Sequence, residues 1–187
     1  MSIHDSPDRR VEVSDGVVAL RPWRNDDASI QLAAWRDPIF QEFSDWAPTD
    51  TCGAILRMEA QRSMRADGLG AAFAICDADA SERVLGEVSI NGVDSTNCSA
   101  SIGYWLTPGA RGRGVVTRAV RLATQFAFDQ LGLVRLELTC GPDNTASAAV
   151  AKRAGFTFQR RLRSNVLFKG AYRDSLVFSL LRADRER

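Results

Sequence analysis

Histidine is almost absent from this chain: of 187 residues one is histidine, His4, in a polar opening stretch. The four cysteines, Cys52, Cys76, Cys98 and Cys140, are scattered and form no CxxC pair. Zinc sites need clustered Cys and His ligands, and Ser/His or Cys/His nucleophilic pairs need an imidazole, so both classes drop out. Burial as small apolar side chains is expected for each cysteine. Lysine is scarce as well, with Lys152 and Lys169 against many arginines. No run approaches the roughly 20 apolar residues that span a bilayer, and MSIHDSPDRR lacks the apolar core of a secretory signal. A cytoplasmic protein with no membrane partner is expected. Neither sign of charge prevails, since 24 Lys and Arg face 23 Asp and Glu, so no overall field favours nucleic acid.

What is present is a chain 45% hydrophobic by count, enough for one domain over 1–187 with a substantial core, residues 1–14 forming a flexible tail. The run 17–22 (VVALRP) reads as a strand. Asn25-Asp26-Asp27 then caps a helix with Ala28, Leu32 and Trp35 at helical spacing, which Asp37-Pro38 ends. The stretch 38–48 reads as irregular and aromatic, and 51–66 as a second helix. Strand-like runs at 71–76, 84–93 and 100–106, parted by turns at 77–83 and 94–99, predict an antiparallel meander. An amphipathic helix follows, carrying Val116, Ala119, Val120, Ala123 and Ala127 and ending at Gly132. A strand over 133–140, a helix from Asn144 through Arg153 and a hairpin turning near Lys169-Gly170 complete the pattern. The fold class is therefore α/β, a mixed sheet with helices on its faces.

The strongest local signal is Tyr104-Trp105-Leu106, a turn, then Arg111-Gly112-Arg113-Gly114-Val115-Val116-Thr117 running into a helix. Glycines let the backbone approach a ligand closely, and the unpaired first-turn amides with the helix dipole favour an anion such as a diphosphate. The spacing is neither the Rossmann GxGxxG nor the Walker sequence, so dinucleotide binding and nucleotide hydrolysis are disfavoured. By itself such a loop could also be a plain turn.

Arg111-x-x-Gly114-x-Val116 resembles the (Gln/Arg)-x-x-Gly-x-(Gly/Ala) motif of the GNAT acetyltransferases, with Val116 in place of a small residue. Downstream, Asn144-Thr145-Ala146-Ser147 and then Gly155-Phe156 resemble the second element of that family. IGYWL before the loop, LRPW near the start, Trp35 with Asp37-Pro38, and Tyr172-Arg173-Asp174 are similar to RimJ/RimL-type members. The resemblance implies the GNAT acyl-CoA acyltransferase fold, a central, mostly antiparallel twisted sheet flanked by helices. It also implies acetyl-CoA (coenzyme A) as cosubstrate and direct acetyl transfer to a primary amine by a bacterial-type N-acetyltransferase. The amides of Arg111, Gly112, Arg113, Gly114, Val115, Val116 and Thr117 would hold the pyrophosphate. The strand through Trp105, Leu106 and Thr107 would turn an unpaired N–H to the thioester carbonyl. Asn144, Ser147 and Lys152 would flank the rest of the cofactor.

Many GNAT enzymes carry an acidic tyrosine where this chain has Ala151, and Ser147 inherits the role of acid toward the departing thiolate. The glutamate some relatives use as base is missing from Arg163-Ser164-Asn165-Val166; Glu87 in GEVSI is the substitute, with Asp45 and Asp174 behind it. An α-amine, with pKa about 7.7–8.0, is partly neutral near pH 7, so a protein N-terminus asks least of a base. A small amine (a polyamine, an amino acid or an aminoglycoside) is the alternative acceptor, and an inactive acyl-CoA-binding module the alternative of another class. A markedly acidic groove would favour cationic amines, whereas Phe40, Phe43 and Trp46 suit a peptide or an apolar amine. The aromatic first half could also support a homodimer.

Overall fold

The computed structural model describes residues 13–44 and 50–185. Eight strands form one open sheet: β1 (Val13–Ser14), β2 (Val18–Pro22), β3 (Ala71–Asp77), β4 (Ala80–Asp94), β5 (Ser99–Leu106), β6 (Arg135–Cys140), β7 (Thr157–Phe168) and β8 (Ala171–Leu181). Their spatial order is β1-β2-β3-β4-β5-β6-β8-β7, and every neighbouring pair is antiparallel except β5 and β6. Among the described residues, five α-helices flank these eight strands: α1 (Ala28–Trp35), α2 (Pro38–Phe43), α3 (Thr51–Ala66), α4 (Val115–Asp129) and α5 (Thr145–Arg153). Because parallel strands need a crossover, α4 lies across the sheet between β5 and β6.

Side chains alternate across the sheet with period two and divide the interior into two cores. Phe73 and Ile75 of β3, Val88 and Ile90 of β4 and Leu136 of β6 meet Ala119, Val120, Ala123 and Ala127 of α4 in the larger one. Ala74, Cys76 and Val84 face the other way, against Trp23, Leu32, Trp35, Ala54 and Met58. The small residues on this second face leave room for the two indoles.

The structure departs from the sequence reading at several points. Residues 38–43 are helical rather than irregular: Asp37, besides ending α1, accepts a hydrogen bond from the Phe40 amide as N-cap of α2, with Pro38 in the first helical position. Strand β4 begins at Ala80, so the turn expected over 77–83 is much shorter. Helix α4 stops at Asp129, with Gln130 as its C-cap, before Gly132. Val13–Ser14, placed in a tail, pair with β2. Cys76 and Cys140 are buried as expected, but Cys52 is exposed in the first turn of α3 and Cys98 is half-exposed in the β4–β5 turn. Helix α3 turns Ala54 and Met58 inward, which puts Cys52 on its solvent side.

Candidate active site

The register of β5 opens the sheet. Its parallel pairing with β6 is confined to Ser99, Ala100 and Ser101 against Arg135, Leu136 and Glu137. The Thr107 amide donates to the Leu85 carbonyl at 2.9 Å on the β4 side. In an antiparallel ladder the direction of these groups alternates, so Tyr104 and Leu106 turn theirs toward the gap beyond Ser101. One is already taken, for the Leu106 carbonyl accepts from Arg111 Nη2 at 3.0 Å. The gap widens into a cavity of about 750 Å³, bounded by β5, the loop before α4, the first turns of α5, and α2.

On the loop side, Gly112 and Gly114 adopt φ of +72° and +76°, a left-handed conformation that suits glycine. Gly114 caps α4 without a side chain, leaving the first-turn amides of Val115, Val116 and Thr117 without intrahelical acceptors. Thr117 is among the lining residues, while its Oγ1 is buried with no hydrogen-bond partner among the described residues. Orphan first-turn donors, a helix dipole and two left-handed glycines fit a diphosphate-bearing cofactor. Val116 is half-buried in the wall, so its larger side chain is accommodated.

Ten of the residues assigned to the cofactor line this cavity: Trp105, Leu106, Arg111, Gly112, Gly114, Val115, Val116, Thr117, Asn144 and Ser147. Three do not. Both the amide and the hydroxyl of Thr107 donate to Leu85, and the exposed Arg113 reaches back to the Gly109 carbonyl. Lys152 points away on the exposed side of α5, and its neighbour Arg153 lines the cavity instead. Arg111 lines the cavity, but its guanidinium is held by the Asp37 carboxylate, which that charge and hydrogen bond keep below the usual carboxylate range. It is not free for phosphate.

Across the cavity, Asn144 Oδ1 accepts from the Ser147 amide at 3.0 Å and caps α5. Ser147 Oγ lies 2.7 Å from the Tyr104 hydroxyl. Burial pushes the Tyr104 phenol up to about 12, against the opposing effect of the Ser147 hydrogen bond, so it keeps its proton at neutral pH. With Tyr104 as donor, Ser147 is free to aim its own proton into the cavity. Burial likewise raises the neighbouring Cys140 thiol, which makes it a poor nucleophile. Ala151 is fully buried, so no phenol comes from α5; it comes from β5. The sequence held a clue, since period-two alternation puts Tyr104 on the face opposite Trp105, but nothing there paired it with Ser147.

Glu87 is not where a base would be needed. It is 3% exposed and outside the cavity wall, with its oxygens 2.8 and 3.0 Å from the Arg57 guanidinium and Gln31 Nε2 at 3.5 Å. Both carboxylate oxygens are taken up by that guanidinium, so neither faces an amine in the cavity. The partners Arg57 and Gln31, on α3 and α1, went unrecognised in the sequence because only the tertiary fold brings them together. Asp174 is engaged by the Ser164 amide and Arg161 at the β7–β8 hairpin, and Asp45 and Trp46 lie outside the described residues. Among the described residues the cavity wall holds no carboxylate; its charged members are Arg111 and Arg153.

Comparison with known proteins agrees with this geometry. The family profile described as an acetyltransferase (GNAT) domain matches residues 18–157. YdaF of Bacillus subtilis, provisionally named a ribosomal N-acetyltransferase, is 33% identical over 103 residues, which is 55% of this chain and 56% of that protein. The ribosomal-protein-serine acetyltransferase of Escherichia coli is 30% identical over 98 residues, 52% of this chain and 55% of that protein. The chain thus spans little more than half the length of these two curated relatives. Among solved structures, Mycobacterium smegmatis RimJ in complex with a CoA disulfide superposes with a TM-score of 0.81 at 25% identity, covering 92% of this chain and 85% of that one.

Proposed function

Since the chain belongs to the GNAT acetyltransferase family, we propose that it transfers acetyl from acetyl-CoA directly to a primary amine, and that this amine is a protein N-terminus. The observation that carries the reading is the cavity itself. The first-turn amides of α4 meet one end of it, and Ser147 with Tyr104 stands on its wall. The bound donor supplies an activated acetyl thioester. The open-edge amides of Tyr104 and Leu106 are the donors available to its carbonyl oxygen, and Ser147 Oγ holds a proton for the departing sulfur, steadied by the phenol of Tyr104. Glu87 serves the Arg57 ion pair, so the amine arrives neutral or loses its proton to water.

The acceptor follows from charge. A polyamine or an aminoglycoside carries several cationic groups, and the described wall offers them arginines and no carboxylate. An N-terminal α-amine brings one charge, lost near pH 7.7–8.0, and the apolar side chains of Ile39, Phe40 and Phe43 suit a peptide beside it. Likeness to the ribosomal-protein acetyltransferases supports the same class.

Thiol release from acetyl-CoA, measured against N-terminal peptides, spermidine and an aminoglycoside, tests the proposal. Peptides are expected to turn over with a kcat/KM whose pH midpoint follows the α-amine of the peptide used. Preference for spermidine would transfer the assignment to small amines, and acetyl-CoA binding without any turnover would favour an acyl-CoA-binding module.

A further inference from the structure

Helix α2 forms the apolar wall of the cavity through Ile39, Phe40 and Phe43, yet none of its residues is fully buried. Hydrophobic burial is therefore partial, with Phe40 half-buried against the cluster around Trp23 and Trp35. Among the described residues three particular ties add to it. At its start, the Asp37 carboxylate caps the helix by accepting from the Phe40 amide at 3.1 Å and also accepts from Arg111. In its middle, the Phe40 ring meets Trp105 edge-on, with centroids 6.3 Å apart. Near its end, Lys169 at the β7–β8 turn donates to the Gln41 carbonyl.

The first tie differs from the other two in what it joins. The backbone of Arg111 belongs to the loop that meets the cofactor, while its guanidinium also holds the Leu106 carbonyl on the open edge of β5. One side chain thus connects the phosphate loop, the strand beside the thioester and the wall that faces the acceptor. The pair is largely shielded, with side-chain exposures of 27% for Arg111 and 12% for Asp37, so water weakens it less than a surface pair.

We propose that the Asp37–Arg111 pair is a positioning device that sets the α2 wall against the phosphate loop, so that it governs how the acceptor is held and leaves cofactor binding nearly untouched. This rests on the acetyl-transfer reading of the cavity. The loop keeps its glycines and first-turn amides without Asp37, whereas α2 loses its ion pair to that loop.

Asp37→Asn isolates the effect, because asparagine caps a helix as well as aspartate but cannot neutralise a guanidinium. Steady-state kinetics on an apolar N-terminal peptide should show the acceptor KM raised about tenfold. Acetyl-CoA affinity by calorimetry should stay within about twofold, and the thermal midpoint within about 2 °C. Asp37→Glu, which keeps the charge, should recover most of the loss. Arg111→Met should raise the acceptor KM likewise, and adding Asp37→Asn to it should change little more, since the two residues act as one unit.

An unmoved acceptor KM in Asp37→Asn overturns the proposal, as does an equal loss of acetyl-CoA affinity or additive losses in the double variant. The wild type, measured first, separates the two levels. Turnover there with an unmoved KM in Asp37→Asn defeats this proposal alone, whereas acetyl-CoA binding with no peptide turnover defeats the acceptor assignment and this inference with it.

Discussion

The two faces of the sheet are built by different physics. Under α4 the interior is aliphatic and aromatic, a continuous core in which Ala119, Val120, Ala123 and Ala127 press onto Phe73, Ile75, Val88 and Leu136. Under α1 and α3 the apolar cluster is smaller, and buried charge lies beside it: Arg21 with Asp27, and Glu87 with Arg57. That side also leaves the indole nitrogens of Trp23 and Trp105 and Gln31 Oε1 buried with no partner among the described residues. The first face makes a firm platform for the glycine loop before α4, whose proposed hold on a diphosphate is mostly backbone. The second depends on side-chain partners, and side-chain partners are what set specificity.

The largest effect should come from the donor side. Gly114→Asp places a carboxylate at the start of α4, where the amides are to receive a diphosphate, and forces a side chain onto a φ of +76°. Acetyl-CoA affinity by calorimetry should fall about a hundredfold or more while circular dichroism stays native. Retained affinity would break the contrast at its root. Next comes Ser147→Ala, which should lower kcat roughly tenfold to a hundredfold with acetyl-CoA affinity unchanged, and Tyr104→Phe, which removes only the supporting bond, should cost less than tenfold.

The opposite face should respond in stability rather than in chemistry. Glu87→Gln removes the buried carboxylate that the Arg57 guanidinium clasps, and because Arg57 is partly exposed the loss should be about 2 kcal/mol, less than for a fully buried pair. The thermal midpoint would fall by roughly 4–8 °C, with the pH midpoint of kcat/KM unmoved. A shifted pH profile at unchanged stability would instead make Glu87 the base and erase the distinction between the faces.

The smallest effect concerns Tyr104. With Tyr172 replaced by Phe, absorbance titration should find one tyrosine ionising at about 12. A phenol raised by burial favours its neutral form in the folded state. Its contribution to stability is therefore complete below the unfolded value near 10 and disappears as pH climbs through about 12. A midpoint near 10 would mean that the Ser147–Tyr104 contact is open to water.

The donor half was far more legible than the acceptor half, for a physical reason. Gly112, Gly114 and the helix beginning at Val115 are contiguous in the chain, and their function lies in backbone conformation, which local sequence dictates. Asn144, Ser147 and Gly155 mark the start and end of one short helix in the same way. Helix α2 escaped notice because Asp37-Pro38 both stops one helix and starts the next, and a stop signal alone does not reveal the restart. The role of the Arg111 side chain was not legible, because the residue 74 positions away that holds it cannot be seen from the loop. Thr107, Arg113 and Lys152 fall outside the cavity wall for one reason: neighbouring residues on a strand, loop or helix point in different directions, and only one direction meets the cavity.

By itself, then, the sequence determined most of the order of elements, the apolar face of α4, the glycine loop before it and the serine on α5, since each is a matter of local periodicity, capping or glycine conformation. Only the tertiary structure decided which side chains became partners. It parted β5 from β6 beyond Ser101, brought Tyr104 to Ser147, closed Arg57 on Glu87 and tied Asp37 to Arg111. Those outcomes depend on distances between residues remote in the chain, and such distances exist only once the sheet has formed.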